Sequence, residues 1–135
     1  MRLKERGLEG FKIDSVMQQL TSLGLLNDER FTRDWVRWRD RTHPSGSQLL
    51  RYELQEKGID EELISQVLMA RETPEWREDI GVDQHEPTDL SLARDLVRRR
   101  RQRMLSIDVE KQRQRLLGLL TRRGFSQGVA YKAIT

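Results

Sequence analysis

The sequence predicts an all-α fold: tandem three-helix repeats forming an elongated, curved, solenoid-like chain whose first repeat lacks its first helix. Three observations carry that prediction. The 135 residues are rich in the helix formers Leu, Arg, Glu and Gln and contain only three prolines. A leucine, two polar residues, a basic residue, glycine and an apolar residue recur as Leu3-Lys4-Glu5-Arg6-Gly7-Leu8, Leu54-Gln55-Glu56-Lys57-Gly58-Ile59 and Leu120-Thr121-Arg122-Arg123-Gly124-Phe125, the second polar residue of the last copy being itself basic. A nine-residue pattern is also written twice, as Phe31 to Arg39 and as Leu92 to Arg100, with five of its nine positions identical.

Each glycine of the recurring motif reads as the residue just past a helix end, because glycine enters the left-handed conformation without a Cβ penalty. The basic residue before it complements the negative end of the helix. Asp60 and Ser126 then stand where a cap opens the next helix, and Glu9 takes that place in the first copy. Apolar residues follow each glycine at six, nine and ten positions: Ile13, Val16 and Met17; Ile64, Val67 and Leu68; Ala130, Ala133 and Ile134. That spacing gives each short closing helix one apolar face.

In chain order, helices are predicted at 2–6, 10–23, 28–42, 47–57, 61–70, 89–105, 109–123 and 127–134, with Asn27, Thr88 and Asp108 capping the third, sixth and seventh. The domain organisation is a partial first repeat over 1–26, a second over 27–70, an acidic linker over 71–87 and a third over 88–135. Thr73 to Pro87 is read as a loop, with Pro74, Gly81 and Pro87 as breakers. Phe31, Trp35 and Trp38 recur at i, i+4 and i+7 and are expected in the core, as is Tyr52.

Composition excludes several classes of function. Without cysteine there are no disulfides, thiol chemistry or cysteine metal sites. No apolar run approaches the ~20 residues of a membrane helix and no signal-peptide core opens the chain, so a cytoplasmic, soluble monomer is expected. His43 and His85 fall in predicted loops, and no Gly-Lys-Ser/Thr triplet marks a phosphate loop. The chain therefore reads as a non-enzyme that needs no cofactor or metal. Charge is unevenly placed behind a net +3: Arg71 to Leu90 holds seven acidic and two basic residues, Ser91 to Arg123 eleven basic and three acidic. Such blocks separate a solvated linker from a surface that attracts a polyanion or an acidic partner.

Three segments together resemble the RecX family. Leu23, Gly24, Leu25, Leu26, Asn27, Asp28 and Phe31 match its opening pattern. Gly46, Glu53, Leu54, Lys57, Gly58 and Ile59 match its middle signature, and Arg123, Gly124 and Phe125 its closing corner. The resemblance implies three tandem three-helix repeats, bent, with a basic concave face. It also implies a bacterial regulator that binds the RecA recombinase and the RecA–DNA filament, lies in the filament groove, and suppresses ATPase, coprotease and strand-exchange activities in DNA repair and the SOS response. Some members bind single- or double-stranded DNA themselves. In three places the sequence departs from the pattern, the first being the missing first helix of the first repeat. "HPSG" before the middle repeat replaces a more basic lead-in, and the segment Arg71 to Pro87 is longer and more acidic than expected.

The candidate partner- or DNA-binding residues are Arg33, Arg37, Arg41, Arg51, Lys57, Arg98, Arg99, Arg101, Arg122 and Arg123. Arg33, Arg37 and Arg41 fall at four-residue steps with Arg30 three positions ahead, forming a stripe on one helix. Arg98 to Arg101 and Arg103 lie on one predicted helix, where consecutive positions point all round the axis. Each has a plainer reading as a solvated face or a helix-end charge. Two functions compete: a regulator of the RecA filament, and a helical nucleic-acid-binding module acting through a basic C-terminal face.

Overall fold

Two of the three glycine corners lie within residues 28–135, the part of the chain described by the computed structural model. Gly58 and Gly124 take φ of +83° and +85°. At each, the glycine N–H donates to the carbonyl three residues back (Gln55, Thr121), and the next residue's N–H donates to the carbonyl five back (Leu54, Leu120). This is the Schellman arrangement, in which two otherwise orphaned carbonyls of the last turn gain donors. The apolar residue after the glycine, Ile59 or Phe125, is buried in the same core as the leucine that starts the motif. The first corner, the helices expected at 2–6 and 10–23, and the partial first repeat lie outside the described residues.

The described residues form α1 (Asp28–Thr42), α2 (Ser47–Glu56), α3 (Glu61–Ala70), α4 (Pro74–Ile80), α5 (Thr88–Arg101), α6 (Val109–Arg122) and α7 (Gln127–Ile134), with no strand among them. Asp60 caps α3 by accepting from the Glu62 N–H, and Ser126 caps α7 by accepting from the Val129 N–H. One apolar core, of Val36, Leu50, Leu54, Ile59, Ile64, Val67 and Trp76, lies among α1 to α4. A second joins α5, α6 and α7 through Leu92, Ala93, Leu96, Leu116, Leu120, Phe125, Ala130 and Ile134 among others. Ile80 packs against both.

The acidic segment is not the solvated loop its composition suggests. Thr73 accepts from the Trp76 N–H, Pro74 opens α4, and Gly81 closes it at φ +83° with the same pair of Schellman bonds, Gly81 to Glu78 and Val82 to Arg77. Trp76 and Arg77 are buried. Thr88, expected as a cap, is instead the buried first residue of α5, behind Pro87 at the cap position. Its hydroxyl donates to the Arg71 carbonyl at 2.6 Å and accepts from Arg77 at 3.1 Å. Asp108 holds the cap position of α6 without a side-chain bond to the helix. The helix expected over 89–105 ends at Arg101, so Arg103 lies beyond it.

The α1 aromatics also depart from expectation. The buried residues of α1 are Thr32, Val36 and Asp40, at steps of four, so the core face runs beside the aromatic stripe rather than through it. Trp35 and Phe31 are half-buried, while Trp38 and Tyr52 are 57% and 58% exposed. Trp76 takes the buried indole position, and its Nε1–H donates to Asp40 at 2.9 Å.

Arg71, just past the end of α3, is fully buried and ties the two halves together. It donates to both Asp40 oxygens (3.0 and 3.1 Å), to Asp89 (2.6 Å) and to the Ser45 carbonyl (3.1 Å). Burial alone would pull the guanidinium below its ordinary value, but Asp40 and then Asp89 outweigh it and hold it above. The other Asp89 oxygen accepts from the Ser47 N–H and hydroxyl at 3.0 Å each, so a residue of α5 caps α2, whose own Gly46 has no side chain to do so.

The backbones meet at Gly46 and Gly124. The Gly46 N–H donates to the Arg123 carbonyl at 2.8 Å. A Cβ on Gly46 would lie 2.2 Å from the Gly124 oxygen, and one on Gly124 would lie 2.4 Å from Leu49 Cβ. The "HPSG" turn is thus where the two halves touch.

Candidate partner-binding surface

Most of the candidate cations on α1 and α2 already have partners. Arg33 pairs with Glu29 at 2.6 Å. Arg37 pairs with Asp79 at 3.0 Å and Asp34 at 3.3 Å, with its guanidinium 4.6 Å from the centre of the Trp76 ring. Arg41 reaches the same Asp79 at 2.7 Å. Arg51 is bonded to Glu61, whose carboxyl is held below its ordinary value first by the hydrogen bond from Gln55 and further by Arg51 and Ser65. Lys57 stands over the Trp35 ring at 5.3 Å. Half-exposed pairs of this kind contribute only ~0–1 kcal/mol each, so a partner can exchange them, yet their charge is compensated at the start.

The α5–α7 half is different. Arg98 and Arg99 share one carboxylate, Asp95, at 2.7 Å each, and both guanidinium groups are largely exposed. Arg101 turns inward and donates to the Ile134 carbonyl at 2.6 Å, serving the end of α7. Arg123 donates to the Pro44 carbonyl at 2.8 Å, across the junction. Both are structural contacts as much as candidate binding groups. Arg122 is exposed and makes no hydrogen bond or ion pair among the described residues.

Outside the candidate set Arg103, Lys111, Arg115 and Lys132 are likewise exposed without a side-chain partner, and the half-buried Arg100 and Arg113 also make no side-chain bond among the described residues. Lys111, Arg115 and Arg122 are exposed and recur at four and seven positions, so they form one stripe along α6, beside the face that buries Leu116, Leu119 and Leu120. The sequence signal for it was present in that spacing. Gly118 sits in the middle of the stripe, where an added Cβ would meet only the mobile end of Arg122 at 3.3 Å. Glycine inside a helix costs about 0.5–1 kcal/mol relative to alanine. Gly118→Ala is therefore expected to stabilise the fold by that amount in urea denaturation, and a loss of stability would show that the site is tighter than its surroundings indicate.

At the inner end of α6 the stripe runs into the junction. Burial, then the charges of Arg100, Arg39 and Arg122, pull the Arg123 guanidinium below its ordinary value. The exposed His43 imidazole is likewise held below 6.5, by its partial burial first, then by Arg123 and Arg39, with Glu53 opposing. Glu53 is itself engaged by Arg39 at 2.6 Å. The same neighbourhood thus gathers cations from α1, α5 and the end of α6, beside the His43 imidazole, around one occupied carboxylate.

Among the described residues no group of three or more His, Asp or Glu could hold a metal ion. None of their helices is long and apolar enough to cross a membrane.

Comparison with known proteins agrees with this architecture. Residues 27–68 match the model of "RecX, second three-helix domain" and residues 88–134 that of "RecX, third three-helix domain". α4 falls between the two matches. The chain is 33% identical over 134 residues to a protein named Regulatory protein RecX from Mycolicibacterium smegmatis, covering 99% of this chain and 66% of that one. With the protein of the same name from Amycolatopsis mediterranei it shares 32% over 98% of this chain and 68% of the relative. It thus spans about two thirds of the length of these relatives. The crystal structure of RecX from Lactobacillus salivarius matches at a TM-score of 0.63 and 19% identity, over 98% of this chain and 78% of that one, a likeness of fold. Paired three-helix domains in order, with relatives at this identity over nearly the whole chain, place it plainly: the chain belongs to the RecX family of regulatory proteins.

Proposed function

We propose that this chain is a non-enzymatic, cytoplasmic regulator, monomeric in solution, that binds the RecA recombinase and its DNA filament. Binding lowers the filament's ATPase, coprotease and strand-exchange activities in DNA repair and the SOS response. The observation that carries the reading is the uncompensated positive charge at the end of α5 and along α6, presented on a family fold whose named relatives are regulators. A filament of recombinase on nucleic acid is a polyanion with a repeating groove, and fixed cations on a stiff helical scaffold suit it. In this reading Arg98 and Arg99 exchange Asp95 for groups on the partner, and the arginines of α1 add contacts by releasing Asp79.

The test is single-stranded-DNA-dependent ATP hydrolysis by the cognate recombinase while this protein is titrated in. Inhibition at levels well below one per recombinase monomer is expected. The exposed α6 stripe keeps a second reading in view, a nucleic-acid-binding module with another purpose. Unchanged hydrolysis, with tight and salt-sensitive binding to bare DNA, would favour that module and count against the first.

A further inference from the structure

Among the described residues Ser106 is the one serine or threonine whose hydroxyl is both exposed and unbonded. Every other one caps a helix, donates to a carbonyl or carboxylate, or, like Thr32, is buried. Ser106 stands on the connection between α5 and α6, residues 102–108. There the Ile107 N–H donates to the Met104 carbonyl at 2.9 Å and closes a four-residue turn. From α6 the Gln112 side chain secures the turn, donating to the Met104 carbonyl at 2.7 Å and to the Ile107 carbonyl at 2.8 Å. Ser106 and the 79% exposed Leu105 are its two middle residues, so the hydroxyl is presented at the tip.

The neighbours of this hydroxyl are those that an arginine-directed protein kinase recognises. Arg103 lies three positions before Ser106, exposed and without a side-chain partner among the described residues. Arg101 lies five before, and Ile107 supplies an apolar residue one after. Kinases of this class line the substrate groove with carboxylates, which hold guanidinium groups on the N-terminal side of the acceptor in charge-assisted pairs. Arg101 has to leave the Ile134 carbonyl to take part, so Arg103 carries most of the recognition.

We propose that Ser106 accepts a phosphoryl group from an arginine-directed serine/threonine protein kinase, and that the phosphate turns down binding through the basic face of α5 and α6. In the transfer the Ser106 Oγ attacks the γ-phosphorus of magnesium-bound ATP, its proton passes to the base of the kinase, and the bond to ADP breaks. The monoester carries a charge of about −1.5 to −2 at neutral pH. It enters a stretch, Ser91 to Arg123, that holds eleven basic residues against three acidic. Arg103 before it and Lys111 in the first turn of α6 are the nearest unpaired cations in the chain. Pairing with the phosphate withdraws them from an incoming partner, and the added charge repels a polyanion. The loss of binding rests on the regulatory function proposed above, whereas the modification does not.

The full chain is incubated with magnesium-ATP and the catalytic subunit of an arginine-directed kinase, and incorporation is followed by intact mass and located by fragmentation. One phosphate is expected, on Ser106, and none in Ser106→Ala. Arg103→Gln should slow the transfer about tenfold, the loss of one charge-assisted contact. Both substitutions fall on exposed, unbonded side chains, so the fold is retained. No incorporation, phosphate on another residue, or an undiminished rate in the Arg103 variant would overturn the acceptor site. The phosphoprotein is then compared with the unmodified chain in the recombinase ATPase titration, with Ser106→Ala taken through the kinase step as control. About tenfold more phosphoprotein is expected for equal inhibition. Equal potency would overturn the switch and leave the acceptor site standing. Should the unmodified chain fail to inhibit, the regulatory function falls and the switch with it, while the mass measurement alone decides the acceptor site.

Discussion

Replacing Arg71 by methionine is expected to destabilise the protein by about 3–5 kcal/mol, the usual consequence of removing one partner of a buried ion pair. Asp40 is 2% exposed and would keep a single donor, the Trp76 indole. The Ser45 carbonyl would lose its bond, and Asp89 would be left with Ser47 alone. The penalty comes less from the lost attraction than from a carboxylate stranded away from water. Equilibrium urea unfolding measures it, and a deficit below 1 kcal/mol would mean that water reaches Asp40 once the guanidinium is gone. Arg71→Met with Asp40→Leu should recover part of the loss, because the stranded charge goes too, although Trp76 then lacks an acceptor.

Gly46→Ala is the second large effect. Its Cβ would fall 2.2 Å from the Gly124 oxygen, 2.5 Å from the Gly124 carbonyl carbon and 2.7 Å from Phe125 Cα. All three are backbone atoms, so no rotamer change clears the space. Overpacking typically costs about 1–3 kcal/mol, and this site should lie at the top of that range or above it. Separating the halves also breaks the Gly46–Arg123 bond, so hydrogen exchange should show α7 and α2 opening at different free energies where the parent opens them together. Gly128→Ala, with nothing within 4 Å of the new atom, is the control. Similar behaviour of the two variants would refute the close approach at Gly46.

What could be read from the sequence was local. The corners at Gly58 and Gly124 were legible because a left-handed residue, the basic residue before it and the apolar residue after it all lie within six positions. The closing helices followed from spacing alone. α4 is hard to read from the sequence because its cues are also those of chain breakers. Thr73-Pro74 is a cap followed by proline at the first helical position, and Gly81 ends the helix, so the same residues that interrupt a chain also punctuate a short helix. Its corner does not match the recurring motif, because Arg77 stands where the others have leucine and Ile80 where they have a basic residue. Trp38, expected in the core, is exposed because burial is set by which face meets the neighbouring helices, and Trp76 is the buried indole, bonded to Asp40. A high density of arginine marks a basic segment but does not reveal which side chains are paired. Arg101 and Arg123 proved to hold carbonyls, and the unpaired Lys111 and Arg115 lay in a sparser stretch.

Four carboxylates of the acidic segment meet arginines within the same chain: Glu72 lies by Arg77, Asp79 binds Arg37 and Arg41, Glu86 binds Arg94, and Asp89 binds Arg71. Residues 28–90 nevertheless hold sixteen acidic side chains against nine basic ones, while residues 91–135 hold twelve basic against three acidic, so the two halves of the described protein are opposite in sign and the molecule has an electric moment between them. In the field of a long polyanion such a body experiences a torque before it makes any contact. It would arrive already turned, α6 leading, and added salt would erase that alignment over a Debye length of ~10 Å at 0.1 M.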